Sequence, residues 1–262
     1  MGIDTILYEV ADRVATIRLN RPKAMNAFGE GMREALLDHL HECERDKGVR
    51  CIVITGVGKA FCAGGDIASM EVLQQSGDLE VLNQRLDVAR EIVCTMRALP
   101  KPIIAAVNGA AAGAGINLAL ACDFRCATAR AKFSEAFVKI GLIPDWAGHY
   151  LLTQIVGTGR AMELIMSGER FDAQEAHRLG IVNRVFDDET FFEQVFERAR
   201  ALADGPAQAL AAIKRGVYLG ASATLEQTLA FEAKAQRELF LSEDAREGMR
   251  AFMQKRAPRF GD

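Results

Sequence analysis

The chain has 262 residues, 50% apolar and 26% charged, and 32 Lys+Arg against 35 Asp+Glu leave a formal charge of −3. This is the balance of a soluble globular protein with a substantial core, which excludes disordered, collagenous and coiled-coil classes. It carries no charge excess that would draw nucleic acid or an anionic membrane.

The opening Met1-Gly2-Ile3-Asp4 has no basic region followed by an apolar stretch, so no signal peptide is expected. Position 6 is Ile, where a myristoylation motif requires Ser or Thr. Thr5–Val10 and Val14–Leu19 read as a hairpin turning at Ala11-Asp12-Arg13. Phe28–Asp46 reads as an amphipathic helix with Met32, Leu36, Leu40 and Cys43 on one face. Cys51–Thr55 is continuously apolar, as expected of a strand covered on both sides. Leu82–Leu99 reads as a helix that stops before Pro100, and Ile103–Val107 as a second buried strand. The uncharged run Ile103–Cys122 contains Asn108, Asn117 and three glycines, so it reads as strand, turn and helix rather than a membrane span.

Strands alternating with helices predict an α/β fold with a parallel sheet. From about Phe191 only helical periodicity remains, over Thr190–Ala203, Ala207–Leu219, Leu225–Leu241 and Ala245–Lys255. We therefore expect a core over 1–190 and a helical region over 191–262, whose apolar faces need the core or another subunit for cover.

The six cysteines, Cys43, Cys51, Cys62, Cys94, Cys122 and Cys126, form no CxxC pair and no zinc spacing. They fit a reducing, cytoplasmic compartment. No metal site is expected, because His39, His41, His149 and His177 show no ligand spacing. Gly56-Val57-Gly58 begins like a dinucleotide fingerprint, but Phe61 stands where its third glycine belongs. Walker A and GxSxG motifs are absent.

Two glycine-rich turns follow the buried strands: Phe61-Cys62-Ala63-Gly64-Gly65-Asp66-Ile67, and Asn108-Gly109-Ala110-Ala111-Ala112-Gly113-Ala114-Gly115. Small residues admit a ligand close to the backbone, and helix N-termini favour negative charge. Two such turns side by side can aim two N–H donors at one oxygen, forming an oxyanion hole. Each turn taken alone is equally a tight strand-to-helix connection.

These turns, together with Leu19–Ala27, Lys101–Gly109, Gly141-Leu142-Ile143-Pro144-Asp145 and the ending Arg246–Arg256, resemble the crotonase superfamily, the enoyl-CoA hydratase/isomerase family, over essentially the whole length. The resemblance implies a spiral of ββα units with a helical trimerisation region. It implies a coenzyme A thioester as substrate, with no separate cofactor, and a homotrimer or dimer of trimers. It places the backbone N–H groups of Gly65 and Ala114 on the thioester oxygen. Lys23, Ala24, Ala63, Gly64, Asp66 and Ile67 would grip the adenine and pantetheine, and Phe252 and Lys255 would reach a neighbouring subunit's nucleotide.

The resemblance places hydratase glutamates at positions 117 and 137, where this chain has Asn117 and Phe137. Neither can activate water or exchange a proton. One carboxylate remains, Asp145, at the position that holds the acid/base aspartate of phenylacetate-pathway isomerases. Pro-Asp is also a turn signal and Asp a good N-cap. Ile143, Pro144, Trp146 and Phe137 are expected to desolvate Asp145, with Trp146 as a pocket wall. The resulting expectation is an isomerase that moves a double bond of an enoyl-CoA, or rearranges a ring-derived acyl-CoA. The alternatives are a hydratase-like enzyme and a non-catalytic acyl-CoA-binding member; an RNA-binding member conflicts with the charge balance. The auxiliary histidine of the dehalogenase branch is unmatched, Arg90 lying in that region. His149, Asn117 and Cys62 are expected to pack rather than react.

Overall fold

The computed structural model describes residues 4–29 and 31–261. Met1-Gly2-Ile3, read above for targeting signals, lies outside the described residues. Strands β1 (Ile6–Ala11) and β2 (Val14–Leu19) pair antiparallel. They turn through Asp12 and Arg13, both left-handed (φ 49° and 62°), as a two-residue hairpin requires. The turn is one residue shorter than expected, with Ala11 inside the strand.

Helix α1 (Met32–Arg45) buries Met32, Leu36, Leu40 and Cys43, the face expected from the sequence. It begins four residues later than expected. Phe28 is drawn out of the helix because its N–H donates to Gly64 O (2.7 Å) and its carbonyl accepts from the Asp66 N–H (3.2 Å). Then follow β3 (Cys51–Gly56), β4 (Ala60–Cys62), α2 (Ile67–Ser76), α3 (Leu79–Ala98), β5 (Ile103–Val107), β6 (Ala110–Ala112), α4 (Ala114–Ala121), β7 (Phe124–Thr128), β8 (Lys132–Ser134) and α5 (Gly148–Ser167). The chain continues through β9 (Phe171–Asp172), α6 (Ala173–Arg178), β10 (Arg184–Phe186), α7 (Phe191–Ala203), α8 (Ala207–Gly220), α9 (Leu225–Phe240) and α10 (Glu243–Met253). Helix α2 has no counterpart in the sequence reading. It buries no side chain, so no apolar stripe betrays it.

The strands divide between two sheets, ordered β1-β2-β3-β5-β7-β10 and β4-β6-β8-β9. All pairings are parallel except β1–β2 and β8–β9. The chain passes from the large sheet to the small one and back through a helix, so successive units climb as a ββα spiral. Strands β3 and β5 are buried along their whole length, as their unbroken apolar runs predict. Helix α7, grouped with the helical region from sequence, covers the outer face of the large sheet: Phe191, Val195, Ala199 and Ala203 share a core with Val53, Ile104 and Cys126.

Helices α8 to α10 lie outside this core. Lys214 on α8 anchors them through a buried ion pair with Asp123 (2.9 Å) and a hydrogen bond to Met96 O (2.8 Å). Tyr218 donates to the same carboxylate. Leu225, Leu241, Phe252 and Met253 of this region stand 70% or more exposed. No helix among the described residues is long and apolar enough to cross a membrane.

Candidate active site

The small sheet brings the two glycine turns into contact. Gly64 has φ +99°, a conformation glycine adopts without steric cost. A Cβ there would meet Ala112 O at 2.8 Å and the Ala114 nitrogen at 3.5 Å. Ala114 opens α4, so its N–H belongs to the first turn, which has no intrahelical acceptor. The Gly65 N–H has no acceptor among the described residues. Two unspent main-chain donors thus flank one cleft, and Phe137 covers Gly113 (3.7 Å from where its Cβ would stand).

Asp145 lies in the loop before α5 and is tied to α4. Its main-chain carbonyl accepts from Asn117 Nδ2 (2.9 Å) and from the Gly148 N–H (3.0 Å). Trp146 and Ala147 are both left-handed, at φ 51° and 59°. That strain is held by Trp146 stacking on Phe28 (4.6 Å between ring centroids) and by Asn117 wedged beneath Gly148. The Arg33 guanidinium lies over the Phe28 ring, 5.4 Å from its centroid. Burial pushes the Asp145 carboxyl up to about 6, and the Arg33 charge holds it from rising further. Of the neighbours expected to desolvate it, Pro144 and Trp146 are buried and Phe137 is partly buried. Ile143 does not take part, being 76% exposed, because the Gly141–Ile143 segment runs over the surface.

Sequence reasoning missed two groups. Arg33 was hidden in the polar face of α1. Glu135 follows β8 and is completely buried; its carboxyl is pushed up to about 8 by burial and by the Asp145 charge. Apart from Thr128 Oγ1, every buried side-chain polar atom without a partner among the described residues belongs to Arg33, Asn117, Glu135, Asp145 or Trp146. Orphaned polar groups gathered around one cleft are expected of a site that completes its bonding with a ligand.

The remaining expected site residues separate into two groups. Lys23 and Ala24 lie beside Ala63, whose N–H donates to Met25 O (3.0 Å), so these segments form one rim. Asp66 has structural work there: it pairs with Arg21 (2.7 Å) and caps α2 through the Ser69 N–H. Ile67 is exposed on the same rim. Phe252 and Lys255 are exposed at the end of α10, and no hydrogen bond among the described residues joins them to the glycine turns or Asp145. His149 is exposed. Cys62 is fully buried and its thiol is pushed up to about 12, which removes it as a nucleophile. No group of His, Cys, Asp and Glu among the described residues is arranged to hold a metal.

The ββα spiral, with its two glycine turns brought together by the small sheet, is the architecture of the crotonase fold class. The enoyl-CoA hydratase/isomerase family model matches residues 9–262. A probable enoyl-CoA hydratase of Rhodobacter capsulatus is 42% identical, covering 99% of each chain. The 1,2-epoxyphenylacetyl-CoA isomerase of Escherichia coli is 40% identical, covering 98% of each. An enoyl-CoA hydratase structure from Polaromonas superposes with a TM-score of 0.93 at 35% identity, covering 98% of this chain and 99% of that one. The chain belongs to the enoyl-CoA hydratase/isomerase family.

Proposed function

We propose that the protein is an enoyl-CoA isomerase that moves a double bond from the 3 to the 2 position, with Asp145 as its acid/base group. The observation that carries this is a half-buried carboxyl, poised near 6, in a cleft whose other positions offer Asn117 and Phe137 instead of glutamates. The Gly65 and Ala114 amides take up negative charge on the thioester oxygen, which acidifies the conjugated C–H groups. Asp145, ionised at neutral pH, removes a proton from Cα of the 3-enoyl thioester and leaves a dienolate. The neutral acid then returns the proton at Cγ, giving the conjugated 2-enoyl thioester, and one base serves both ends of the shift. The same elements suit rearrangement of a ring-derived thioester. Replacing Asp145 with Asn tests this: turnover of 3-enoyl-CoA is expected to fall about 10³-fold with acyl-CoA binding retained, and near-normal turnover refutes it.

Hydration is the second reading, favoured by the names of several relatives. It predicts 3-hydroxyacyl-CoA formed from 2-enoyl-CoA in water, an outcome the isomerase reading excludes.

The adenine and pantetheine lie along the rim of Lys23, Ala24, Ala63, Gly64 and Ile67 in this proposal. Phe252 and Lys255 act on a neighbouring subunit's nucleotide, in a homotrimer or dimer of trimers. The exposed apolar residues of α9 and α10 support assembly, and light scattering that finds a monomer contradicts it. The six unpaired cysteines support a reducing, cytoplasmic setting.

A further inference from the structure

The Gly65 N–H belongs to the peptide unit that joins Gly64 to Gly65. In a trans peptide the N–H points opposite to the carbonyl. The Gly64 carbonyl accepts from the Phe28 N–H (2.7 Å), so the Gly65 N–H aims away from Phe28. Glycine resists backbone rotation least of all residues, and a glycine stands on each side of this unit. The aim of the amide therefore depends on what holds Phe28 and Asp66. The bond from the Asp66 N–H to Phe28 O is the other half of this bridge, and at 3.2 Å it is the longer half.

Arg21 spans the same bridge from outside. Its Nη1 donates to Ala27 O (2.6 Å), and its Nη2 pairs with Asp66 Oδ2 (2.7 Å). One rigid, planar guanidinium thus ties the residue before Phe28 to the residue after Gly65. The two side chains are only 27% and 19% exposed, so solvent screens this pair less than a surface one. Gly29 leaves the space it occupies: a Cβ there would stand 2.6 Å from Arg21 Nη1. Arg21 is itself anchored, its N–H donating to Asn26 Oδ1 (2.9 Å). Asn26 is fully buried and donates to Val57 O (3.0 Å) and Ala60 O (2.7 Å), bonds that hold Met25 and Asn26 left-handed at φ 49° and 56°. Asp66 Oδ1 is left for the Ser69 N–H at the start of α2. We propose that Arg21 is a positioning residue that clamps Ala27 to Asp66 and so fixes the aim of the Gly65 amide at the thioester oxygen. The inference rests on the reading of Gly65 and Ala114 as the amides that hold that oxygen, and on no particular reaction of the acyl chain.

The test is Arg21→Met, read by isotope-edited infrared spectra of bound butanoyl-CoA, a saturated thioester that neither isomerises nor hydrates. In the wild type the two amides are expected to shift the thioester C=O band to lower frequency than in water. Arg21→Met misdirects one of the two donors and is expected to lose about half of that shift. With 3-enoyl-CoA its kcat is expected to fall about tenfold, less than outright loss of a donor, with the butanoyl-CoA Kd within about threefold. A full band shift in Arg21→Met overturns the proposal, and a raised Kd beside it assigns Arg21 to the rim alone. Where Arg21→Met does not fold, Asp66→Asn decides: Asn caps α2 as well as Asp does but removes the charge that Arg21 pairs with. The band must then move the same way, and an unmoved band overturns the proposal. A wild type without any band shift overturns the oxyanion reading and this proposal together, whereas a shift that survives in the variants overturns this proposal only.

Discussion

Gly115→Ala is the sharpest probe of how the two glycine turns meet. Gly115 is the second residue of α4, immediately after Ala114, and it packs against the end of β4. An added methyl would overlap the Cys62 carbonyl oxygen and stand 2.8 Å from the carbonyl carbon, where ordinary contact begins at 3.4 Å. The obstacle is main chain and cannot rotate away, so α4 must withdraw from β4 by more than half an ångström. Overpacking of this kind costs about 3 kcal/mol, the upper part of the usual range. At about 2–4 °C per kcal/mol for a chain of this size, Tm falls by about 6–12 °C. The withdrawal also carries the Ala114 N–H away from the Gly65 N–H, and loss of one oxyanion donor is worth about 10²-fold in kcat. Gly77→Ala is the control: its left-handed φ of +65° adds a backbone strain that Gly115 lacks, but nothing lies within 4 Å of the new methyl. It is expected to cost about 1–2 kcal/mol and leave kcat unchanged. Thermal melts and steady-state rates decide the matter. A Gly115→Ala enzyme with wild-type Tm and kcat refutes the claim that these turns are in rigid contact.

Because the base must be ionised, kcat/KM is expected to rise with pH through about 6, the titration of Asp145, in a stopped assay from pH 4.5 to 8. Arg33→Met removes the nearby cation that opposes the upward shift, so that limb moves to higher pH; an unmoved limb contradicts the assigned cause. Lys214→Met strands the buried Asp123 carboxylate and is expected to cost about 3–5 kcal/mol in urea unfolding, with loss of the α8 anchor; Asp123→Asn made in the same background should recover part of it.

The elements legible in the sequence are those whose burial is local. Strands β3 and β5 are apolar at every position because both faces are covered, and α1 shows its Met32–Leu36–Leu40–Cys43 stripe. Phe28 was misplaced because its partners are Gly64 and Asp66, more than 35 residues away, and periodicity carries no trace of such a bridge. Helix α2 lacks an apolar face, yet its ends were readable: Asp66 as N-cap and Gly77 as a left-handed C-cap. In the site, the glycine turns and Asp145 were legible by motif. Glu135 was not, because its burial comes from packing around β8 and α4 that no neighbour in sequence reveals. Ile143 shows the converse error, an apolar neighbour in sequence that the fold leaves in solvent.

The central claim is that one carboxyl moves a proton between Cα and Cγ while two amides hold the thioester oxygen. Deuterium incorporation from heavy water into a saturating enoyl-CoA, followed by NMR at both carbons, measures this directly. The account predicts exchange at Cα and Cγ in the wild type, and a loss of about 10³-fold at both in Asp145→Asn with the acyl-CoA Kd within threefold. Exchange that persists at either carbon in Asp145→Asn contradicts it.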